Sequence, residues 1–134
     1  MKIAARLSST SAGHTVEVET EGRKQSIAIA RKSVGRGSSI NGGELLLAAL
    51  ATCFCNDLYR EAAKRAIDVQ EVKVKVTGTW GSPGEPAHDI SYGVQVRADA
   101  PQTEIDDLIR TTDAVTEIQN TVRHGCAVKL MVGG

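Results

Sequence analysis

Aromatic residues, excess charge and long apolar runs are all scarce in this sequence. Aromatics make up 3% of the 134 residues, so the core must be built from Ala, Val, Ile and Leu. A core of such small side chains gains from extra buried area, and a dimer interface is one way to supply it. The 16 basic and 16 acidic residues balance, which argues against nucleic acids and anionic membranes as partners. Neither a signal peptide nor an apolar run of about 18 residues is present, so we expect a cytoplasmic protein that does not span a membrane.

Cysteine is also rare, and the three that occur are Cys53, Cys55 and Cys126. An odd number without a signal peptide argues against a disulfide framework. On a helix, Cys53 and Cys55 would point about 200° apart and could not pair. The histidines are dispersed, and the glycines at 35 and 37 lack the rest of a nucleotide-binding motif. We therefore expect no metal and no cofactor.

A helix is the strongest prediction from the residue pattern. Asn41 and Glu44 form a capping box, and the helical pattern continues to about Ala66. The stretch Leu45–Phe54 is apolar on nearly every face, which is typical of a helix buried on all sides.

Alternating apolar and polar residues predict strands on both sides of this helix. A second helical stretch, from Pro101 to about Val122, is expected to split at Thr111–Asp113. The resulting order, β-β-β-α-β-β-α-α-β, indicates one α+β domain over residues 1–134 with mainly antiparallel pairing. The strands are expected at Lys2–Ser9, His14–Thr20, Gln25–Arg31, Val69–Trp80, Ile90–Arg97 and Cys126–Val132.

The helix sequence NGGELLLAALATCFCNDL, residues 41–58, resembles the central-helix motif of the OsmC/Ohr family of thiol-dependent hydroperoxide reductases. The resemblance implies an OsmC-like α+β fold, an intertwined homodimer and a buried central helix. It places Cys53 at the position of the peroxidatic cysteine, which attacks an organic hydroperoxide and is then reduced by a small or protein dithiol. It places Glu44 at or beside an acidic position that orients a catalytic arginine.

Two features depart from the family pattern. The family's resolving cysteine is missing, since Thr116 or Glu117 stands at its place. Cys126 lies some nine to ten residues later and is a candidate resolving thiol. The family's arginine has no clear match either, so the cation beside the thiolate is expected to be His14, Arg36 or neither of them.

Several of these positions have an ordinary structural interpretation as well. Cys53 could be a small buried side chain of an Ala/Leu helix. Glu44, nine residues earlier, would point away from Cys53 at roughly 13 Å along the axis, and its place in the capping box explains it equally well. Asp57 and Arg60 lie on the Cys53 side of the helix, where we expect a solvated face. The alternative function is therefore an OsmC-like protein without peroxidase activity that binds a small apolar ligand or a protein partner.

Overall fold

The computed structural model describes residues 1–133. The chain forms two compact units, Met1–Leu45 and Leu46–Gly134. The predicted α+β class is confirmed: within the described residues, five antiparallel strands and three helices follow one another as β1–β2–β3–α1–β4–β5–α2–α3. Within the described residues, no helix combines the length and apolar character needed to cross a bilayer.

The first unit contains a three-stranded antiparallel sheet in the order β1–β2–β3. Strand β2 pairs with β1 from Ser9 opposite His14 to Ile3 opposite Thr20. A tight turn then leads into β3, and both of its residues, Glu21 and Gly22, have positive φ angles of 48° and 82°. This backbone conformation matches the twist of a two-residue hairpin. The three strands are β1 (Ile3–Ser9), β2 (His14–Thr20) and β3 (Arg23–Ile27).

Helix α1 runs from Gly42 to Lys64 and begins in the predicted capping box. The Glu44 backbone N–H donates to Asn41 Oδ1 at 2.8 Å, and the Asn41 backbone N–H donates to Glu44 Oε1 at 3.0 Å. These two contacts satisfy amide groups that the first helical turn otherwise leaves without a partner. The start of α1 is therefore fixed by local hydrogen bonds.

In the second unit, α1 packs on the two-stranded sheet of β4 (Val69–Thr79) and β5 (His88–Ala98). The strands pair so that Val72 faces Val96 and Val74 faces Val94. These valines contact a core of fully buried side chains, among which the Phe54 ring meets Tyr92 edge-on at 5.4 Å between centroids. The buried core residues are Phe54, Leu58, Ala62 and Leu108.

Two helices complete the second unit, α2 (Gln102–Val115) and α3 (Glu117–His124). The expected break at Thr111–Asp113 was wrong, because the helix continues to Val115 and the chain turns at Thr116 instead. Thr116 has an extended backbone, is fully buried, and donates its hydroxyl to the Asp113 carbonyl at 3.1 Å. Burial of this hydroxyl with an internal partner fixes the turn here.

Three further expectations differ from the structure, and the first is the strand expected at Gln25–Arg31, which is observed as β3 at Arg23–Ile27. The segment Cys126–Val132 forms no strand, and Val128 and Leu130 are 94% and 87% exposed. Alternation alone does not supply the neighbouring strand that a β-strand needs. Helix α1 is also not buried on all sides within one chain, since Leu45 is 40% exposed and Ala48 and Ala49 are exposed.

Candidate functional site

Cys53 lies on α1 beside two carboxylates. Its Sγ donates toward Asp57 Oδ2 at 3.7 Å, one helical turn later, and also lies 3.8 Å from Glu117 Oε2. Asp57 is only 7% exposed, whereas the Glu117 side chain is 69% exposed. The thiol therefore lies beside two carboxylates that are close to each other, one buried and one exposed.

Glu117 reaches Cys53 because α3 is held against α1 by a buried side chain. Gln119 is 3% exposed and donates Nε2 to the Leu50 carbonyl at 2.8 Å. Leu50 precedes Cys53 by about one turn on the same helix. This hydrogen bond fixes the first turn of α3 next to the turn of α1 that carries Cys53.

Arg60 provides positive charge at this cluster. Its guanidinium lies 3.1 Å from Asp57 Oδ1, 3.5 Å from Glu61 Oε1 and 4.0 Å from Glu117 Oε1. The expectation that Asp57 and Arg60 form a solvated face was wrong for Asp57, because that carboxylate is buried between Arg60 and Cys53.

These surroundings shift the acidity of the three groups in different directions. Burial raises the pKa of the Cys53 thiol, the carboxylates of Asp57 and Glu117 add to that increase, and a backbone hydrogen bond from Ile118 opposes it. Burial also raises the pKa of Asp57, with a further contribution from Glu117. Glu117 changes the other way, since the N–H of its own backbone lowers its pKa. The site therefore favours the protonated form of the thiol, the ionised form of Glu117 and, compared with an ordinary aspartate, the protonated form of Asp57.

Cys53, Asp57 and Glu117 also form a group that could bind a metal ion, the one such group among residues 1–133. One ligand atom from each of Cys53, Asp57 and Glu117 lies within 4.8 Å of the others. Arg60 already forms a salt bridge with the Asp57 carboxylate. The expectation of no metal rests on the dispersed histidines, and their spacing carries no information about a cluster of one thiol and two carboxylates.

The remaining predicted site residues lie elsewhere along the chain. Glu44 makes the capping contacts described above. His14 begins β2 and Arg36 lies exposed in the loop before α1, both within the unit Met1–Leu45. Both ring nitrogens of His14 are buried and have no hydrogen-bond partner among the described residues. Cys126 is an exposed free thiol after α3. The roles expected for these four residues remain predictions.

A family model described as "OsmC-like protein" matches residues 35–131, which include α1, the β4–β5 hairpin, α2 and α3. The chain belongs to the OsmC-like family. The predicted family membership is thus confirmed, and the match covers both Cys53 and Glu117.

Solved structures show that this OsmC-like chain also has the family fold. An OsmC-like protein from Mycoplasma pneumoniae is 18% identical, with a TM-score of 0.64 over 91% of this chain and 86% of that one. An OsmC-like hydroperoxide resistance protein from Jannaschia is 13% identical, with a TM-score of 0.58 over 98% and 92%. An organic hydroperoxide resistance protein OsmC from Legionella pneumophila is 23% identical, with a TM-score of 0.54 over 92% and 90%. None of the curated proteins is significantly similar in sequence.

Proposed function

We propose that this OsmC-like chain is a thiol-dependent peroxidase that reduces organic hydroperoxides, with Cys53 as the reacting thiol. The observation that carries the proposal is the contact of 3.7 Å between Cys53 Sγ and the buried Asp57 carboxylate. A nucleophilic thiol needs a neighbouring group that removes its proton, and Asp57 stands in that position. The names of the relatives from Jannaschia and Legionella pneumophila, both hydroperoxide resistance proteins, support the same substrate class.

The reaction requires one proton transfer in each direction, and Asp57 serves both. As Cys53 attacks the terminal peroxide oxygen, a sulfur–oxygen bond forms, the oxygen–oxygen bond breaks and Asp57 takes the thiol proton. Asp57 then gives that proton to the departing alkoxide, so that the products are an alcohol and a sulfenic acid at Cys53. Burial of Asp57 suits this exchange because it raises the pKa of the carboxyl group.

Arg60 is the positioning residue of this scheme. It holds Asp57 Oδ1 at 3.1 Å, which leaves Oδ2 directed at the sulfur. Its contacts with Asp57 and Glu61 also limit the negative charge around the thiol. Arg60 therefore fills part of the role that the resemblance assigns to a cation beside the cysteine.

The sulfenic acid is returned to a thiol by an external small or protein dithiol. One reductant thiol forms a mixed disulfide with Cys53 and releases water, and the second thiol releases Cys53 and forms the oxidised dithiol. We propose an external reductant because the residue beside Cys53 is Glu117, which cannot form a disulfide. Cys126 is the alternative resolving thiol within the chain.

Peroxide consumption by three cysteine variants tests the proposal. With cumene hydroperoxide and a dithiol, Cys53→Ser should lose all activity above background, while Cys126→Ser should keep it if the reductant acts directly on Cys53. Cys55→Ser is the matched control, since it removes a thiol two residues away on the same helix. Wild-type protein that consumes no peroxide, or Cys53→Ser protein that remains active, would contradict the proposal.

A second candidate function is favoured by the carboxylates themselves. Burial raises the pKa of the Cys53 thiol and the carboxylates raise it further, whereas peroxidatic cysteines work as thiolates. The second candidate is thus an OsmC-like protein without peroxidase activity that binds a small apolar ligand or a protein partner. Inactive wild-type protein with no sulfenic acid detected by dimedone would support it.

We further propose that the protein is a homodimer, as the family resemblance implies. Support comes from large apolar side chains exposed in a single chain, above all Val128 and Leu130 in the segment after α3.

We expect light scattering to give twice the chain mass of 14.2 kDa. Leu130→Asp should weaken dimerisation roughly 10²- to 10⁴-fold, because a symmetric dimer loses two such side chains and burial of each contributes about 1.5–3 kcal/mol. Val34→Asp, at a side chain that is 86% exposed in the loop before α1, is the control; equal weakening by both variants would contradict a role for the C-terminal segment.

A further inference from the structure

Negative charge exceeds positive charge in the group of side chains that surrounds Cys53 and Asp57. Three carboxylates, those of Asp57, Glu61 and Glu117, face two cations, those of Arg60 and Lys64. Lys64 lies 3.0 Å from Glu61, and Arg60 lies closer to Asp57 and Glu61 than to Glu117. Glu117 is therefore the carboxylate with the least compensated charge.

Glu117 is also the carboxylate that a reductant meets. Its side chain is 69% exposed and its Oε2 lies 3.8 Å from the sulfur, whereas the neighbouring Asp57 is buried. A thiol that attacks the sulfenic acid must bring its sulfur within bonding distance of Cys53 Sγ, and a thiol that attacks the mixed disulfide must reach the sulfur bonded to Sγ. Any charge two or three bonds from the attacking sulfur then comes within about 4–8 Å of Glu117, where unit charges still interact at a protein surface.

We propose that Glu117, assisted by Asp57, selects the reductant of Cys53 by charge, favouring thiols with an ammonium group near the sulfur over thiols with a carboxylate there. The inference rests on the proposed function, in which Cys53 cycles through a sulfenic acid and a mixed disulfide. In the final step the incoming thiolate attacks the mixed disulfide, the old sulfur–sulfur bond breaks, and Cys53 regains a proton as the two reductant thiols leave as a disulfide. An aminothiol gains attraction in this step, and a mercaptocarboxylate meets repulsion.

Three thiols of similar size provide the test: cysteamine, 2-mercaptoethanol and 3-mercaptopropionate. The protein is used as the Cys55→Ser/Cys126→Ser variant, so that Cys53 is its single thiol. Cys53 is converted to a methyl disulfide with methyl methanethiosulfonate, and its release by each thiol is followed by mass spectrometry. This step does not depend on peroxide reduction, so it tests charge selection even where no peroxidase activity is found.

The measured quantity is the ratio of the cysteamine rate to the 3-mercaptopropionate rate. Comparing this ratio between variants cancels the intrinsic reactivity of each thiol. We expect Glu117→Gln to lower the ratio roughly tenfold at low ionic strength, and high salt to lower it in the parent protein. The control is Asp89→Asn, which removes the same charge from an exposed carboxylate at the start of β5.

The outcomes separate the inference from the proposed function. An unchanged ratio in Glu117→Gln, or an equal fall in Asp89→Asn, would overturn charge selection by Glu117. A dimedone assay for sulfenic acid at Cys53 after cumene hydroperoxide is run alongside. Charge selection without a sulfenic acid would overturn the peroxidase and leave selection at the disulfide step standing, whereas a sulfenic acid without charge selection would overturn the inference alone.

Discussion

Neutralising both carboxylates beside Cys53, in the variant Asp57→Asn/Glu117→Gln, should change two reactions of this thiol in opposite directions. Alkylation by iodoacetamide, a neutral reagent, should become roughly tenfold faster at neutral pH. Reduction of cumene hydroperoxide should become about tenfold slower at the same pH. The difference arises because only the second reaction needs a proton for its leaving group.

The faster alkylation follows from the ionisation of the thiol. Burial and the negative charges of Asp57 and Glu117 raise the pKa of Cys53, so that little thiolate is present at neutral pH. Removing the two charges leaves the burial contribution in place but should lower the pKa of Cys53, because both carboxylates raise it. Below the pKa, a decrease of one unit raises the thiolate fraction about tenfold.

The slower peroxide reduction follows from the loss of the proton carrier. Positioned acid–base groups contribute on the order of 10²–10⁴ to such reactions. An asparagine at position 57 can neither take the thiol proton nor give it to the alkoxide. A loss of about a hundredfold outweighs the tenfold gain in thiolate, so the net rate falls.

Alkylation rates between about pH 6 and pH 10 give the thiol pKa, and peroxide consumption at neutral pH gives the second rate. Asp89→Asn serves again as the control for net charge. An increase in both rates would show that Asp57 does not carry the proton. An alkylation profile that does not shift would show that the carboxylates have no influence on the ionisation of Cys53.

Glu117→Cys should give the chain a resolving cysteine and convert Cys53 from a lasting sulfenic acid to a disulfide. The first residue of α3 faces Cys53, and the Glu117 carboxylate comes within 3.8 Å of the sulfur. A cysteine side chain is shorter than glutamate, so the end of α3 must move slightly toward α1 to reach disulfide geometry. We expect one equivalent of hydroperoxide to yield the disulfide in most molecules, with almost none of the dimedone adduct.

Mass spectrometry after one equivalent of cumene hydroperoxide distinguishes the two products in the Cys55→Ser/Cys126→Ser background. Val122→Cys is the control, because it places a thiol on α3 about 140° around the helix from position 117. Persistence of the dimedone-reactive species in Glu117→Cys, or equal disulfide yields in the two variants, would refute the placement of residue 117 at the resolving position.

The features predicted correctly from the sequence are those determined by neighbouring residues. The capping box of Asn41 and Glu44 was confirmed because both partners lie within one helical turn. The strands expected at His14–Thr20 and Val69–Trp80 were confirmed for the same reason, since alternation is a local pattern. The contact between Cys53 and Asp57 could also have been predicted, since a spacing of four residues places both side chains on one helix face.

What the sequence could not supply depends on contacts between distant residues. Glu117 lies 64 residues from Cys53 and comes beside it through the buried contact of Gln119 with Leu50. The break between α2 and α3 depends on the burial of the Thr116 hydroxyl, which periodicity does not reveal. Whether Cys126–Val132 forms a strand depends on a partner strand, and alternation within the segment carries no information about that partner.

The exposure of Glu117 has a consequence for how this protein can change over evolutionary time. Its side chain is 69% exposed at the first residue of a short helix, and the helix is held in place by Gln119 rather than by Glu117. Surface substitutions of this kind alter the free energy of unfolding by only a few tenths of a kcal/mol. A single tolerant position can therefore switch between a residue that forms a disulfide and one that repels anions. The fold would then be inherited unchanged while the reductant diversifies among related proteins.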